Sequence, residues 1–468
     1  MSHTQIFLTI HRILGTMLSI LFLMWFLSGM VMMYHGYPSL PAADRLKHAE
    51  SIVAGEYAAA LRSSSTVSIE QVAGRTVGFD KDDNMCDLAS GMPVTRLTDE
   101  ALMQVAERWT ASAPTLIDTL SEIDVWLIGA MPFREFPVYH YALNDGKGGE
   151  LYVSSRTGRA LQLTDSRSRF WAWVGAIPHW IYITKLRATG RQPWTSVVLW
   201  LSGAGIVMVL TGLVVGVRSA VVARRRRRLS PYAKPILRWH HLLGLAFGLF
   251  VLTWIFSGFM SLADAPQLIW PVRGEHSAKD VYAQEVGKQK FTLPAGSVLA
   301  SADVKRLDMV EMGGVPYYHV TTADDDYLVD ATQTAPHRSV LNASRCTDMV
   351  QQTYGKDVSV SAVLLRAYDD YYVSQKQQLP LPVYKVTTDN ADGDTYYINP
   401  KNGACRYYNN NRRAGKWMYT GMHALNTAFF ADRPVLRSVV MWLLLLGGTA
   451  VSLTGLVLSV RYLRRRLR

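Results

Sequence analysis

Histidine is the residue type whose spacing carries chemistry in this sequence: four of its twelve histidines recur in matched settings. His11 opens the string His11-Arg12-Ile13-Leu14-Gly15, followed by Trp25 and Ser28-Gly29. His240 opens His240-His241-Leu242-Leu243-Gly244, followed by Trp254 and Ser257-Gly258, so both copies read HxxxGx9WxxSG. His179 and His423 each stand six residues after a tryptophan, Trp173 and Trp417. Each then precedes an apolar stretch, one carrying Leu210-Thr211-Gly212-Leu213-Val214 and ending at Arg218, the other carrying Leu453-Thr454-Gly455-Leu456-Val457 and ending at Arg461.

A single histidine in an apolar helix reads equally well as an interhelical hydrogen bond, but duplicated placement brings equivalent residues face to face across a two-fold axis. Neutral imidazoles from two helices then supply both axial positions of a haem, and the bundle interior supplies the apolar walls. His11 with His240 and His179 with His423 are the candidate ligands of two b haems, one toward each face of a membrane. A zinc or copper site would recruit clustered Cys, Asp or Glu, and a proton relay would place carboxylates in the helices. The apolar stretches hold neither. CxxCH is absent, which excludes covalent c-type attachment by motif. His35 and His241 are spare: His35 could replace an outer ligand, His241 takes the place Arg12 holds in the first copy, and both read better as supporting residues.

The elements that must position these histidines are four stretches long enough to cross a bilayer core of roughly 30 Å. They cover residues 6–34, 194–217, 236–262 and 437–461. The net charge of +12 is concentrated beside them. Arg218, Arg224 to Arg228, Lys234 and Arg238 lie between the second and third stretches, and Arg461, Arg464, Arg465, Arg466 and Arg468 follow the fourth, with no acid among these thirteen. Short basic flanks of this kind put the linker 218–235, the tail 462–468 and both termini in the cytoplasm. They argue against a nucleic-acid patch, which would spread its charge over a soluble face. The long segments 35–193 and 263–436 are then extracytoplasmic.

Because each copy has an even number of spans, the two share one orientation, and a pseudo-two-fold axis along the membrane normal is expected. The outer segments alternate apolar and aromatic residues between turn residues, as in Val138–Ala142 with 151–153, Val383–Val386 with 395–398, and 317–330. That alternation predicts antiparallel hairpins. Thr98 is placed to cap a helix over 99–110. The fold class is therefore a membrane protein: a four-transmembrane-helix bundle in two pseudo-symmetric repeats, each with an α+β outer domain. A cleft between two such domains is the expected substrate site. Cys86, Cys346 and Cys405 all fall in the outer segments. There an odd count leaves at least one thiol free.

The HRxxG and HHxxG openings, the Ser-Gly pairs, the outer histidines and the Tyr-rich hairpins ending in Thr157-Gly158 or Asn402-Gly403 resemble the PepSY-associated transmembrane family, over essentially the whole chain. The resemblance implies a PepSY-like outer domain in each repeat and a bacterial inner-membrane ferric-siderophore reductase with haem. It also implies a ferric siderophore or other ferric chelate as substrate and membrane lipid as surroundings. His11, His179, His240 and His423 match that family's recurring histidines. Some relatives carry a fused cytoplasmic flavoprotein that this sequence does not hold, which leaves quinol or a separate cytoplasmic reductase as the electron donor. The second copy reads His240-His241 where the family usually has His-Arg. PepSY modules are also associated with peptidase inhibition, so a membrane-anchored binding protein without redox activity is the alternative, which would not need four duplicated histidines.

Overall fold

A computed structural model describes residues 3–467 apart from 56, 58–60, 62–64, 131–133, 189–190, 264–266, 268–269, 275, 284 and 375–378. Arg468 of the basic tail lies outside the described residues. Four helices are long and apolar enough to cross a membrane: His3–Met32, Gln192–Arg225, Pro235–Met260 and Pro434–Arg466. A helix rises about 1.5 Å per residue, so even the shortest of them outreaches the hydrocarbon thickness. Prolines start the third and fourth. At that position a missing backbone N–H costs nothing. Large apolar side chains such as Met17 and Trp200 stay 72% and 80% exposed. On helices of this length and composition, such exposure suits a lipid surround. The chain is a membrane protein with four spanning helices.

Each spanning helix packs on two others, the first on the second and fourth, the third on the second and fourth. Histidine-bearing helices one and three therefore sit on one diagonal. The bundle core is aromatic: Phe22, Phe26 and Trp254 are buried with Leu18, Met208 and Leu445. Phe22 lies against Gly205, where an added Cβ would come within 2.9 Å of its ring. The glycine thus sets how closely helices one and two approach. The chain start, the basic linker and the tail meet at one end of the bundle, where Arg218 donates to Thr4 Oγ1 at 2.5 Å and Arg12 lies 4.9 Å over the Tyr462 ring.

Sixteen strands form three sheets among the described residues. The largest joins strands from both outer segments. From the first come β1 (Ser68–Val72), β2 (Arg75–Phe79), β3 (Met85–Asp87) and β4 (Pro93–Val94). From the second come β9 (Arg306–Met312), β10 (Val315–Thr321), β11 (Asp326–Asp330) and β12 (Arg338–Ser339). Their order is β12-β11-β10-β9-β1-β2-β3-β4. Strands β1 and β9 meet antiparallel with Ser68 opposite Asp308, Ile69 opposite Leu307 and Glu70 opposite Arg306. Glu70 Oε1 bonds both Arg306 Nη1 (2.9 Å) and Arg159 Nη2 (2.6 Å). These charge-assisted bonds add a clamp to the junction. At this level a continuous sheet joins the segments, because pairing β1 with β9 removes two exposed strand edges.

The remaining strands form two four-stranded sheets, one per segment. One runs β5 (Thr115–Leu120), β6 (Val138–Ala142), β7 (Glu150–Ser154), β8 (Ala160–Thr164); the other runs β13 (Val360–Leu365), β14 (Val383–Thr388), β15 (Thr395–Ile398), β16 (Cys405–Tyr408). The hairpins expected from alternation are β6–β7, β14–β15 and β10–β11, the last with Tyr317 opposite Asp330. The capped helix spans Asp99–Glu107, with Thr98 Oγ1 accepting from Ala101 N at 3.3 Å. A threonine hydroxyl at this position satisfies one of the free N–H groups of the first turn. From β8 and β16 the chain turns into the short helices that carry the outer histidines.

Candidate functional site

Two histidine pairs form inside and at the edge of the bundle. The ring centres of His11 and His240 are 6.2 Å apart, and those of His179 and His423 are 6.1 Å apart. A metal–imidazole bond of about 2 Å on each side of one ion would put the two ring centres roughly 6.3 Å apart.

His11 and His240 come from the diagonal helices, and the other diagonal seats them. His11 Nδ1 is 2.8 Å from Met208 O, and a Cβ on Gly212 would fall 2.5 Å from His11 Cε1. His240 Nδ1 is 3.0 Å from Thr454 Oγ1, and a Cβ on Gly455 would fall 3.3 Å from His240 Cε1. The Leu-Thr-Gly strings of helices two and four are thus imidazole seats.

The outer pair rests on short elements. Helix Ser166–Val174 starts at a capping box of Asp165 and Ser168, and helix Ala176–Trp180 then carries His179. The box satisfies two backbone donors at once and fixes where the first of these helices begins. In the second segment Asn409 caps helix Asn410–Lys416, a π-helical turn follows over Trp417–Gly421, and Met422–Ala424 carries His423. Two residues after each histidine stands a left-handed residue, Ile181 at φ 52° and Leu425 at φ 51°. Branched side chains disfavour that region, and such strain persists where surrounding structure enforces it, often at functional sites. The Trp-x-x-Ser-Gly strings hold both rings. Ser28 Oγ lies 3.1 Å from His179 Nδ1 and Ser257 Oγ 3.0 Å from His423 Nδ1. Trp25 Nε1 donates to His179 O at 3.0 Å.

These contacts fix the tautomers. Met208 O can only accept, so His11 Nδ1 carries the proton. Ser28, Ser257 and Thr454 each spend their hydroxyl proton on a carbonyl of their own helix (2.6 Å to Met24 O, 2.9 Å to Trp254 O, 2.8 Å to Val451 O), so each accepts from its imidazole. In all four rings Nδ1–H is held by the protein, and Nε2 has no hydrogen bond among the described residues. That is the arrangement by which proteins orient a ligating imidazole. Burial pulls the pKa of His179 down to about 3, helped by the facing His423, and burial pulls His423 down to about 4. Removing a cation's water disfavours the charged form, so both rings are neutral at pH 7.

The site fits a haem. Two imidazoles supply two ligands, and among the described residues no cluster of three or more His, Cys, Asp or Glu could complete a metal shell from protein alone. A macrocycle would provide the other four. Beside His11 and His240 a cavity of about 330 Å³ is lined by apolar side chains, by polar ones including Arg12, Ser19, His241, Ser452 and Tyr462, and by the bare backbone of Gly15, Gly212 and Gly244. Its size falls in the range of cofactor pockets. Side chains at those glycines would occupy the space a flat ring system needs.

The family model for the PepSY-associated TM region matches residues 8–465, nearly the whole chain. The chain belongs to that family. No curated protein is significantly similar to it in sequence.

In this PepSY-associated transmembrane protein the four histidines singled out by duplication come together as His11 with His240 and His179 with His423. Neither spare histidine pairs with them, though His241 lines the inner cavity. His241 is buried with both nitrogens engaged, 3.0 Å from Ser230 Oγ and 3.0 Å from Gly216 O. His35 stacks on Trp171 at 4.2 Å. Sequence reasoning noted Ser28, Ser257, Thr454, Gly212 and Gly455 as markers of duplication and missed them as imidazole seats. The signal was present, because a polar hydroxyl or bare backbone recurring at fixed spacing within an apolar helix invites a polar or close-packed partner.

Proposed function

We propose that the chain is a di-haem b transmembrane oxidoreductase that passes electrons from a quinol or cytoplasmic reductase to an extracytoplasmic ferric complex, a ferric siderophore by family resemblance. The observation that carries this reading is the set of four imidazoles, paired at 6.1 and 6.2 Å, each with Nδ1–H held and Nε2 free. When bound, haem b supplies reversible one-electron chemistry at a potential tuned by its ligands and surroundings.

The protein's own residues do the rest. His11 and His240 hold the inner centre, and His179 and His423 hold the outer one. Met208 O, Thr454, Ser28 and Ser257 keep every ring in the ligating tautomer. Phe22, Phe26 and Trp254 close the bundle between the pairs and keep water from the transmembrane path. The chain is read as two repeats about a pseudo-two-fold axis. Support comes from the sheet order, with β1 and β9 adjacent at its centre, and from the matched left-handed residues after His179 and His423. The arginines after the second and fourth helices favour a cytoplasmic linker and termini, which puts both sheet-bearing segments outside the inner membrane of a bacterium, with lipid around the helices.

Protein purified in detergent should carry two b haems by pyridine haemochrome assay, show low-spin spectra, and once reduced be reoxidised by a ferric chelate. A colourless protein that still inserts would overturn the proposal and return the binding-protein alternative.

A further inference from the structure

A buried arginine eight residues after His179 has no carboxylate partner among the described residues. Arg187, in helix Thr184–Ala188 just ahead of the second spanning helix, is only 8% exposed. Its Nε and Nη1 are shielded from solvent and have no hydrogen-bond partner among the described residues. The guanidinium sits 4.6 Å from the Trp194 ring centre and 6.0 Å from that of Tyr182. These rings attract the charge but accept no in-plane hydrogen bond. A guanidinium stays protonated in proteins, so its burial calls for an anion. Trp194 ties the group to the histidine segment: its Nε1 donates to Trp180 O at 2.9 Å and to Ile181 O at 3.2 Å, the two residues after His179. Among the described residues two further polar atoms are buried without hydrogen-bond partners, Thr195 Oγ1, next in sequence to Trp194, and Asn426 Oδ1, three residues after His423. In soluble and membrane proteins alike, buried polar atoms are nearly always satisfied. Orphans on the chain segments that follow both outer histidines call for a polar group supplied from outside the chain.

We infer that Arg187 is the anion clamp of the outer site, pairing its fork with a carboxylate of the ligand that His179 and His423 hold, a propionate of haem. The inference rests on the reading of that pair as a haem site. Planar two-point recognition of a carboxylate is what guanidinium does best. A lipid phosphate in the outer leaflet offers similar chemistry, so the experiment separates the two.

Full-length protein in detergent, wild type and with R187Q or R187K, is titrated for the midpoint potentials of both centres, and bound phospholipid phosphorus is counted on the same samples. In R187Q the outer centre should become harder to reduce, because removing a nearby positive charge favours the ferric form. At the wild-type midpoint its oxidised-to-reduced ratio should rise about tenfold, the effect of a unit charge roughly 10 Å away at an effective dielectric near 20. The inner centre should not move, and R187K should recover most of the shift. One phosphate fewer per chain with both midpoints unchanged would assign the clamp to lipid and overturn the propionate pairing. Unchanged midpoints with unchanged phosphorus would reduce Arg187 to a stacking anchor and overturn it too. If R187Q fails to insert, R187K decides, since a lysine point charge keeps the potential but loses the fork and should release the outer haem faster on dilution. Wild-type protein with no outer haem would instead defeat the haem reading itself, and that is seen before any variant is made.

Discussion

The two histidine pairs have nearly the same ring separation and are built by opposite means. His11 and His240 are carried by long helices and seated on the backbone of neighbouring helices, through Met208 O, Thr454, Gly212 and Gly455. His179 and His423 are carried by helical fragments of five and three residues, ended by strained left-handed residues and held through Ser28 and Ser257. At the inner pair stiff spanning helices carry the ligands, and close packing with one hydrogen bond per ring seats them on the neighbouring spans. At the outer pair short segments need a hydrogen-bonded anchor reaching up from the helix below.

The largest expected effect is loss of a whole centre. His11→Ala and His240→Ala should each remove the same inner haem, and His179→Ala and His423→Ala the same outer haem, with the double replacement in a pair no worse than the single. Haem quantitation with spectra of each variant checks this. Two haems retained in both outer variants would dissolve the comparison.

Next in size is the glycine contrast within the inner pair. A methyl at Gly212 would lie 2.5 Å from His11, whereas at Gly455 it would lie 3.3 Å from His240. G212A should therefore lose most of the inner haem and G455A keep most of it, read from the same spectra. Equal loss would mean the seats are not packing-limited.

Smaller still is the loss of the serine anchors. S28A and S257A should weaken outer haem retention to similar extents, because a tryptophan carbonyl stands behind each serine, Trp25 O 3.2 Å from His179 Nδ1 and Trp254 O bonded to His423. Loss of a hydrogen bond behind a metal-bound imidazole typically costs ten- to a hundredfold in affinity, and competition with apomyoglobin measures it. Unchanged retention in both would show that the carbonyls replace the serines in full.

The smallest effect on haem is expected from H241A. Both ring nitrogens are already bonded to Ser230 and Gly216. Haem content should stay at two while stability falls by about 1–3 kcal/mol from the partners left unsatisfied, as thermal unfolding would report. A missing haem would make His241 part of the inner site after all.

Much of this architecture was legible in the chain because a bilayer admits few solutions. Spans of fixed minimum length, basic flanks and two copies of HxxxGx9WxxSG need no tertiary information to be recognised, and helix periodicity puts His11 and Gly15 on one face. Pairing was legible only as far as duplication implied it. Sequence could not show that Trp-x-x-Ser-Gly serves the outer histidine of the same copy while Leu-Thr-Gly serves the inner one, because those partners lie 151 to 214 residues apart. Nor could it show that β1 and β9 fuse the outer segments into one sheet, since edge strands choose partners by proximity and register, not by local pattern. Residue types and spacing therefore determined four spans, their charge asymmetry and the four imidazoles. Only the tertiary structure decided which nitrogen each imidazole leaves free and that Arg187 Nε and Nη1 are buried with no partner among the described residues, because hydrogen-bond geometry and burial are properties of neighbours brought together by folding.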